Sequence, residues 1–316
     1  MAPMPAPRRK VLTTGPKKIC TEFGKPMTDV SVHAWCNGEI RGREEGAPSV
    51  ASISFHLGTG VFDGLMAYWN QGHYYLHRPE EHLIRFQRGA ASMGLNFPWT
   101  VDQLLEGIQE LLKHEPNETQ YIRPIAFRGA PELWVTGSEG RPVDVTIFTV
   151  RTETHRDLDQ PITCHISPIE RISSRSIPAQ IKVSGAYVNS FLARRTAEKS
   201  SFDDGLMFDR DGHLTEASAA NVFVVVGERL VTPRLKPDVF PGVTRQVILE
   251  LASPAGIEVQ EAELRREDLV TINGAFLCST LMEIRAVSKL GERPLPTTEL
   301  PVYKSVISAF RNLTHQ

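Results

Sequence analysis

The chain has 316 residues, of which 41% are hydrophobic and 23% are charged, and its formal net charge at pH 7 is −2. These values are ordinary for a globular protein with one large domain or two medium ones. A charge this close to zero gives no electrostatic reason to expect a nucleic-acid or membrane partner, and no apolar run is long enough to span a bilayer.

The N-terminus and the cysteines favour a cytoplasmic protein. The N-terminus lacks the apolar segment of a secretory signal peptide. The four cysteines and ten histidines show no Cys-x-x-Cys or His-x-x-x-His spacing, so we expect reduced thiols and no metal site.

Composition along the chain predicts an arm and two domains. Residues 1–30 contain Pro, Lys and Gly without periodicity and are expected to form a flexible N-terminal arm. Residues 31–150 are predicted to be a small α/β domain. Residues 151–161 are polar and aperiodic, which is typical of a linker, and residues 162–316 form a larger domain.

The first domain is predicted to contain a mixed sheet with helices on one side. Asn37-Gly38 is a strong hairpin signal, and "LMAYWNQGHYYLHR" predicts a second hairpin with aromatic residues facing across a glycine turn. "RPEEHLIRFQRGAASMGL" predicts a helix with Pro79 in its first turn, and "TVDQLLEGIQELLKH" predicts another that begins at Thr100 or Asp102. "QYIRPIAFRG" and "VDVTIFTV" are predicted strands.

The second domain continues with short strands and three helices. "ITCHISPI" and the segment around Lys182 are predicted strands, followed by a helix over 187–199. Further strands are predicted in "DGLMFD", "NVFVVV", "RLVTP" and "GAFLCST". "PGVTRQVILELASPAG" and "PVYKSVISAFRNL" are predicted helices. We expect the two domains to meet near Lys182.

Lys182 stands in an unusual setting, between Ile181 and Val183 and before the small residues Ser184-Gly185. Burial disfavours the ammonium form of a lysine, and a neutral lysine is a nucleophile toward carbonyls. The alternative is an edge-strand lysine that extends its amine to water. The rest of the chain decides between the two.

Three other segments contain residues that would complete the binding site of an aldehyde cofactor attached to Lys182. Val243 and Thr244 begin a helix whose free N–H groups suit a phosphate, although simple capping explains the same pattern. Arg85 is a further phosphate candidate, or else a solvated helix residue. Glu216 is predicted to end a strand. If its carboxylate is buried there, it needs a cation as a partner, and the protonated ring nitrogen of a pyridinium would be such a cation. The alternative is a glutamate that only caps a turn.

Together these motifs resemble the fold-type IV pyridoxal-phosphate enzymes, and most of all the branched-chain amino acid aminotransferases. The similarity lies in the order K-x-x-G-x-Y, D-G-x-x-T-E-x-x-x-x-N, T-P, P-G-V-T-R and S-T, with "GTGVFDG", "HRPEEHLIRF" and "YIRP" in the first half. It extends from about His33 to Arg285. The second-half motif residues are Lys182, Gly185, Tyr187, Asp211, Gly212, Thr215, Glu216, Asn221, Thr232, Pro233, Pro241, Gly242, Val243, Thr244, Arg245, Ser279 and Thr280.

The resemblance implies pyridoxal 5′-phosphate as the cofactor and a mixed α/β (α+β) fold, in which the larger C-terminal domain carries a barrel-like sheet. Lys182 would form the Schiff base and carry a proton between the substrate α-carbon and the cofactor. Glu216 would pair with the ring nitrogen, and Tyr187 would lie near the phenolic oxygen. The phosphate would be held by Arg85, Val243, Thr244 and Thr280.

The resemblance also implies the substrate contacts. Tyr121 and the Thr280-Leu281 turn would receive the substrate carboxylate, while Phe62 and Arg123 would line the side-chain pocket. The reaction would be transamination of a branched-chain or other hydrophobic L-amino acid with a 2-oxo acid such as 2-oxoglutarate. Because relatives of this kind are dimers, we also expect a homodimer.

Two residues depart from the family at the substrate side. Leu57 stands where branched-chain enzymes commonly carry a tyrosine, and Leu281 stands where they usually have an alanine. Such a change in a pocket that distinguishes methylene groups alters substrate preference by ~1–3 kcal/mol.

Three alternatives stay open at this point. An (R)-amine or D-amino-acid transaminase of the same fold generally lacks the "YIRP" arginine pattern, which this chain has. An aminodeoxychorismate-type lyase is typically shorter. A non-catalytic scaffold is disfavoured because Lys182 and Glu216 are both present, and each is destabilising when buried without a partner.

Overall fold

The computed structural model describes residues 30–133, 140–152 and 160–314, and within them the chain forms two β-sheets with six α-helices. Residues 1–29 of the predicted arm and residues 153–159 of the predicted linker lie outside the described residues. Val30 forms an isolated bridge with Val150. Arg151 is the last residue of a strand of the first sheet. The division into two domains stays a prediction.

The first sheet is antiparallel throughout the described pairings, so the predicted mixed sheet is wrong. Its strands follow the order β2-β1-β7-β6-β4-β5, with β3 paired to β6. The strands are β1 (His33–Cys36), β2 (Glu39–Gly42), β3 (Val61–Phe62), β4 (Leu65–Asn70), β5 (His73–Leu76), β6 (Gln120–Phe127) and β7 (Asp144–Arg151).

The two predicted hairpins are confirmed. Asn37 and Gly38 both have positive φ, 50° and 101°, as a tight two-residue turn requires. In the second hairpin Tyr68 pairs with Tyr75 and Trp69 with Tyr74. The short strand β3 was not predicted, because a strand of two residues is too short to show an alternation of apolar and polar side chains.

Helices α2 (Pro79–Ser92) and α3 (Val101–Leu112) cover one face of this sheet, as predicted. Pro79 is the first residue of α2, and the Thr100 side chain caps α3 together with Gln103. A short helix α1 (Ile53–His56) precedes β3. The opposite face of the sheet carries a separate buried cluster that includes Met66, Tyr68, Tyr121 and Val150.

The second sheet contains parallel and antiparallel pairs, with β10-β9-β8-β15-β14-β11-β12-β13 as its order and β16 paired to β15. It is curled into a half-barrel, which confirms the predicted barrel-like sheet and mixed α/β fold. Its strands are β8 (Ile162–Ile166), β9 (Asp204–Phe208), β10 (Leu214–Glu216), β11 (Asn221–Val226), β12 (Arg229–Pro233), β13 (Val259–Ala262), β14 (Gly274–Ser279), β15 (Glu283–Leu290) and β16 (Arg293–Pro294).

Three helices accompany this sheet, each where the sequence predicts one: α4 (Tyr187–Lys199), α5 (Val243–Ala252) and α6 (Pro301–Thr314). Apolar residues of α5 and α6 pack on one face of the sheet, against Phe223 and Phe276. Helix α4 packs against β9. In the described part of the chain no helix is both long and apolar enough to cross a membrane.

The predicted strand around Lys182 is wrong. Val183 makes only an isolated bridge with Val61, and residues 184–186 form a turn of 3-10 helix that leads directly into α4. The alternation of Ile181, Lys182 and Val183 covers only three residues. A pattern this short does not distinguish a strand from a loop that forms a single β-bridge. Strands β13, β15 and β16 were not predicted.

Candidate active site

A cavity is lined by residues of the second half of the chain together with Arg85 of α2 from the first half. All seven residues that the sequence predicts to bind the cofactor line this cavity: Arg85, Lys182, Tyr187, Glu216, Val243, Thr244 and Thr280.

Lys182 is half-buried, and its amine is directed at two aromatic side chains. Its Nζ donates to the hydroxyl of Tyr187 over 3.0 Å and lies 4.2 Å from the ring centroid of Phe240. Its backbone carbonyl accepts a hydrogen bond from the amide of Phe62 over 3.0 Å. The backbone of Lys182 is therefore held by the first sheet, while its amine is held by the first residue of α4.

The small residues after Lys182 are required by a close backbone contact. The amide of Gly185 donates to the carbonyl of Gly58 over 2.8 Å. A Cβ on Gly58 would come within 2.9 Å of the Gly185 Cα, and Gly58 has a φ of +68°. Both positions need glycine, and this contact brings the loop before β3 against the start of α4.

Glu216 is buried at the end of β10 and is paired by the protein itself. Arg171 Nε lies 3.0 Å from Glu216 Oε1, with each side chain 7% exposed. The Phe240 amide donates to Oε2 over 2.9 Å. Burial raises the pKa of Glu216, against the opposing effects of the Arg171 guanidinium, the Phe240 amide and Lys182. The sequence analysis expected a pyridinium as the only cation here, and Arg171 corrects that expectation.

Arg85 is fixed by a buried carboxylate. Its Nε and Nη2 donate to the two oxygens of Asp63 over 2.9 and 2.7 Å, and its Nη1 donates to the Pro241 carbonyl over 2.9 Å. His82 Nδ1 lies 2.9 Å from Asp63 Oδ1. Burial alone would raise the pKa of Asp63, but Arg85 and His82 outweigh it and hold that pKa well below its usual range. Arg85 is thereby aimed at the segment that leads into α5.

The N-terminus of α5 forms the floor of the cavity. Gly242 precedes the helix, and a Cβ there would lie 2.0 Å from the Asn221 amide oxygen, so the position admits only glycine. The first amides of α5, at Val243 and Thr244, have no partner within the helix. With the Arg85 guanidinium and the hydroxyls of Thr244 and Thr280, they form a set of donors suited to a phosphate dianion.

The donors and the buried acid together fit pyridoxal 5′-phosphate. The cavity offers phosphate donors, one amine at Lys182, and a buried carboxylate at Glu216 with a raised pKa. A carboxylate with a raised pKa is a stronger base, so it would hold a proton placed between itself and a ring nitrogen. These three features match the phosphate, the aldehyde and the ring nitrogen of that cofactor.

An aromatic wall from the first sheet adjoins Tyr187. The rings of Phe62 and Tyr187 lie 4.8 Å apart, and the Arg123 guanidinium lies 4.5 Å from the Phe62 ring centroid. Arg123 Nη2 donates to the Tyr121 hydroxyl over 2.8 Å. A Cβ on Gly64 would clash with that hydroxyl at 1.9 Å, so Gly64 makes the room that Tyr121 needs.

Leu57 and Leu281 are placed differently from the other predicted substrate residues. These two residues are 42% and 39% exposed, and none of the five predicted substrate residues lines the cavity. Phe62, Tyr121 and Arg123 form one connected group, whereas these two leucines lie outside it in the described chain. The predicted substrate roles of all five residues stay predictions.

Comparison with known proteins decides the family. The model of the family described as amino-transferase class IV matches residues 60–290, which contain every residue of the cavity named above. The chain belongs to the class IV aminotransferases. These enzymes use pyridoxal 5′-phosphate, so the predicted family and cofactor are confirmed.

Relatives of this class IV aminotransferase are named as branched-chain enzymes. A probable branched-chain-amino-acid aminotransferase of Aquifex aeolicus is 30% identical over 284 residues, which cover 88% of this chain and 91% of the relative. The branched-chain aminotransferase of Thermoproteus uzoniensis with norvaline superposes with a TM-score of 0.85 at 28% identity, over 90% of this chain and 95% of that one. The enzyme of Thermobaculum terrenum in its PLP form gives 0.82 at 25% identity, over 91% of this chain and 95% of that one.

Three residues of the aminotransferase cavity were missed by the sequence analysis: Asp63, Arg171 and Phe240. Asp63 lies inside the "GTGVFDG" motif, so its place in the family pattern was a usable signal. Nothing in the segment "IERISSRS" distinguishes Arg171 from Arg175. Phe240 directly precedes the P-G-V-T-R motif, and its role depends on the distant partners Lys182 and Glu216.

Proposed function

We propose that this class IV aminotransferase moves the amino group of a branched-chain or other hydrophobic L-amino acid to a 2-oxo acid such as 2-oxoglutarate. The observation that carries the proposal is the convergence of Lys182, Glu216 and the α5 N-terminus on one cavity beside an aromatic wall. The branched-chain names of its relatives support the choice of substrate.

Bound pyridoxal 5′-phosphate supplies an aldehyde carbon and a ring that withdraws electrons from the substrate α-carbon. Lys182 is the residue we propose to carry the aldehyde, and it is the base that takes the proton from the α-carbon and returns it. The hydroxyl of Tyr187, 3.0 Å from Lys182 Nζ, accepts a hydrogen bond from the amine and orients it.

Glu216 and the phosphate donors orient the ring from its two ends. Glu216 holds a proton at the ring nitrogen, and Arg171 keeps this carboxylate in place. Arg85, fixed by Asp63, pairs with the phosphate together with the first amides of α5. Because every one of these groups is attached to a fixed partner, the cavity needs little reorganisation during the reaction.

The aromatic wall supplies the substrate contacts of the proposal. The Phe62 ring gives an apolar surface for a branched side chain, in contact with the Tyr187 ring. The hydroxyl of Tyr121 and the Thr280-Leu281 turn receive the carboxylate of the amino acid. Arg123 lies over Phe62 and is the cation available for the second carboxylate of 2-oxoglutarate.

We also propose that the enzyme is a homodimer and is cytoplasmic. Three large apolar residues are exposed on one face of α4, at the helical spacing i, i+3 and i+4: Val188, Phe191 and Leu192. Phe55 of α1 is also exposed. The Gly58–Gly185 hydrogen bond joins the segment that follows α1 to the turn that precedes α4. Exposed apolar side chains of this kind are typical of a protein–protein interface. Sedimentation of the purified enzyme tests the proposed homodimer.

A panel of amino donors tests the proposed function. The purified enzyme is loaded with cofactor, mixed with L-leucine, L-isoleucine, L-valine, D-amino acids or (R)-amines, and followed by the visible spectrum of the cofactor. We expect fast conversion to the aminated cofactor with the three branched-chain L-amino acids. Faster conversion with D-amino acids or (R)-amines would contradict the proposal, as would release of a carbon–carbon cleavage product. The relatives described above do not favour either alternative.

A further inference from the structure

A buried hydrogen bond joins the two sheets behind the aromatic wall. The hydroxyl of Tyr68 on β4 donates to Glu283 Oε1 on β15 over 2.8 Å. The residues are 2% and 5% exposed, and 215 positions separate them in the chain. Neither belongs to the cavity lining or to the residues assigned to the cofactor above.

Glu283 ends the turn that carries two predicted site residues. It pairs with Ser279 across the β14–β15 hairpin, so the turn between them consists of Thr280, Leu281 and Met282. The Met282 amide donates to the Ser279 hydroxyl over 3.3 Å. Glu283 itself has a φ of +57°, a conformation that a side-chain-bearing residue keeps only where its surroundings hold it.

Tyr68 lies on the same face of the first sheet as Tyr121. Met66, two residues before Tyr68 and on the same face, pairs with Tyr121 between β4 and β6. Met66, Tyr68, Tyr121 and Val150 form one buried cluster. The Tyr68–Glu283 bond therefore connects the strand beside Tyr121 to the hairpin turn that presents Thr280 and Leu281.

We propose that Tyr68 and Glu283 are a positioning pair that holds the Thr280-Leu281 turn at a set distance from Tyr121 and so determines the affinity of the site for the substrate α-carboxylate. This inference rests on the proposed function, in which Tyr121 and the turn receive that carboxylate from opposite sheets. Neither residue of the pair touches the substrate.

The chemistry of the pair supports a positioning role. A phenol that donates to a carboxylate at low solvent exposure forms one of the stronger hydrogen bonds in proteins. Burial and the neighbouring carboxylate of Glu283 raise the pKa of Tyr68 well above its ordinary value, so the phenol keeps its proton and remains the donor. Loss of the phenol would remove one buried hydrogen bond to this carboxylate, and the turn that ends at Glu283 would lose that restraint.

The experiment measures how the cofactor-loaded enzyme binds 4-methylvaleric acid, whose only polar group is a carboxylate and which is present in a solved structure of another branched-chain aminotransferase. Isothermal titration calorimetry gives the Kd for the wild type and for Tyr68→Phe. We expect the Kd to rise by about tenfold in Tyr68→Phe, because the turn that receives the carboxylate is then no longer held at its distance from Tyr121. The visible spectrum should be unchanged, and the affinity for the cofactor should fall less than the affinity for the acid, because Thr280 is only one of several phosphate donors.

Three further variants distinguish a positioning role of the pair from a general loss of structure. Tyr74→Phe removes a phenol that donates to the Pro116 carbonyl at an exposed site, and it should bind 4-methylvaleric acid within about twofold of the wild type. Glu283→Gln keeps an acceptor oxygen for Tyr68, so we expect a loss of about threefold. Tyr68→Phe/Glu283→Gln should be no weaker than Tyr68→Phe alone, because the two changes break the same contact.

The outcomes are distinguishable. If the wild type binds 4-methylvaleric acid and Tyr68→Phe binds it equally well, the positioning pair is overturned and the proposed function stands. Equal losses of ligand affinity and cofactor affinity in Tyr68→Phe would also overturn it, because they indicate general loss of structure. A wild type that does not bind the acid, and does not convert L-leucine, overturns the proposed function and the pair with it.

Discussion

The cavity and the aromatic wall beside it are built from different kinds of groups; Phe62, Tyr121 and Arg123 do not line the cavity but adjoin it at Tyr187. The cavity presents an amine and an acid, Lys182 and Glu216, each paired with a protein group. The wall from the first sheet is mainly aromatic, with Phe62 and Tyr121 around one guanidinium, that of Arg123. The wall touches the cavity where the rings of Phe62 and Tyr187 lie 4.8 Å apart.

This difference indicates a division of labour. Paired charges at fixed positions suit chemistry that many substrates share, because they stabilise the same atoms in every turnover. An aromatic wall distinguishes substrates by shape and apolar area. Substitutions of the paired groups Lys182 and Glu216 should therefore lower the rate for all substrates, whereas substitutions beside the substrate should change the ranking of substrates.

The largest effect is expected for Lys182→Ala. Removing the amine removes both the attachment point and the base, so kcat should fall by at least ~10³-fold with every substrate. Thermal unfolding should change little, because the amine is only half-buried. Single-turnover rates and mass spectrometry after borohydride reduction check this, with the exposed Lys199→Ala as control. Normal turnover in Lys182→Ala would show that the lysine is misassigned.

Glu216→Gln is expected to lower the rate by about a hundredfold, because a neutral amide cannot hold the proton at the ring nitrogen. The cofactor should stay bound, since the phosphate donors are intact. Absorbance of the purified variant reports bound cofactor, and stopped-flow mixing with L-leucine reports the rate. Glu258→Gln, an exposed change, is the control. An unchanged rate with retained cofactor would contradict the role of this acid.

Asp63→Asn tests the role of Arg85, the phosphate-binding residue that the first half of the chain contributes and that Asp63 holds in place. Without the carboxylate that fixes its guanidinium, Arg85 should lose its orientation, and the cofactor should bind about tenfold more weakly. At saturating cofactor kcat should change by less than about threefold. Equilibrium dialysis gives the Kd, with the exposed Asp102→Asn as control. Tighter binding in Asp63→Asn would mean that Asp63 mainly weakens the charge of Arg85.

The smallest effect is expected for Leu281→Ala, at the edge of the substrate side. The residue is 39% exposed and does not line the cavity, so kcat/KM for L-leucine relative to L-valine should rise by only about threefold. Competition assays with both amino acids measure this ratio, and Leu235→Ala, another exposed leucine, is the control. A change above about thirtyfold would place Leu281 in the substrate pocket itself.

Local motifs were sufficient to predict much of the cofactor site. Val243 and Thr244 begin a helix, Glu216 ends a strand, and Tyr187 begins α4, because each depends on turn, capping and periodicity signals within a few residues. The same kind of signal predicted a strand at Lys182, where the chain instead forms a loop with one isolated β-bridge. It also failed for β15, whose pairing with β8 and β14 is non-local.

The sequence by itself determined the family, the cofactor and seven of the residues that line the cavity, because these depend on motifs whose order and spacing are visible in one chain. Tertiary structure alone decided which groups satisfy one another: Arg171 with Glu216, Asp63 with Arg85, and Tyr68 with Glu283. The physical reason is that a buried charge or phenol is stabilised by whatever partner the fold brings within about 3 Å, and separation along the chain does not encode that distance.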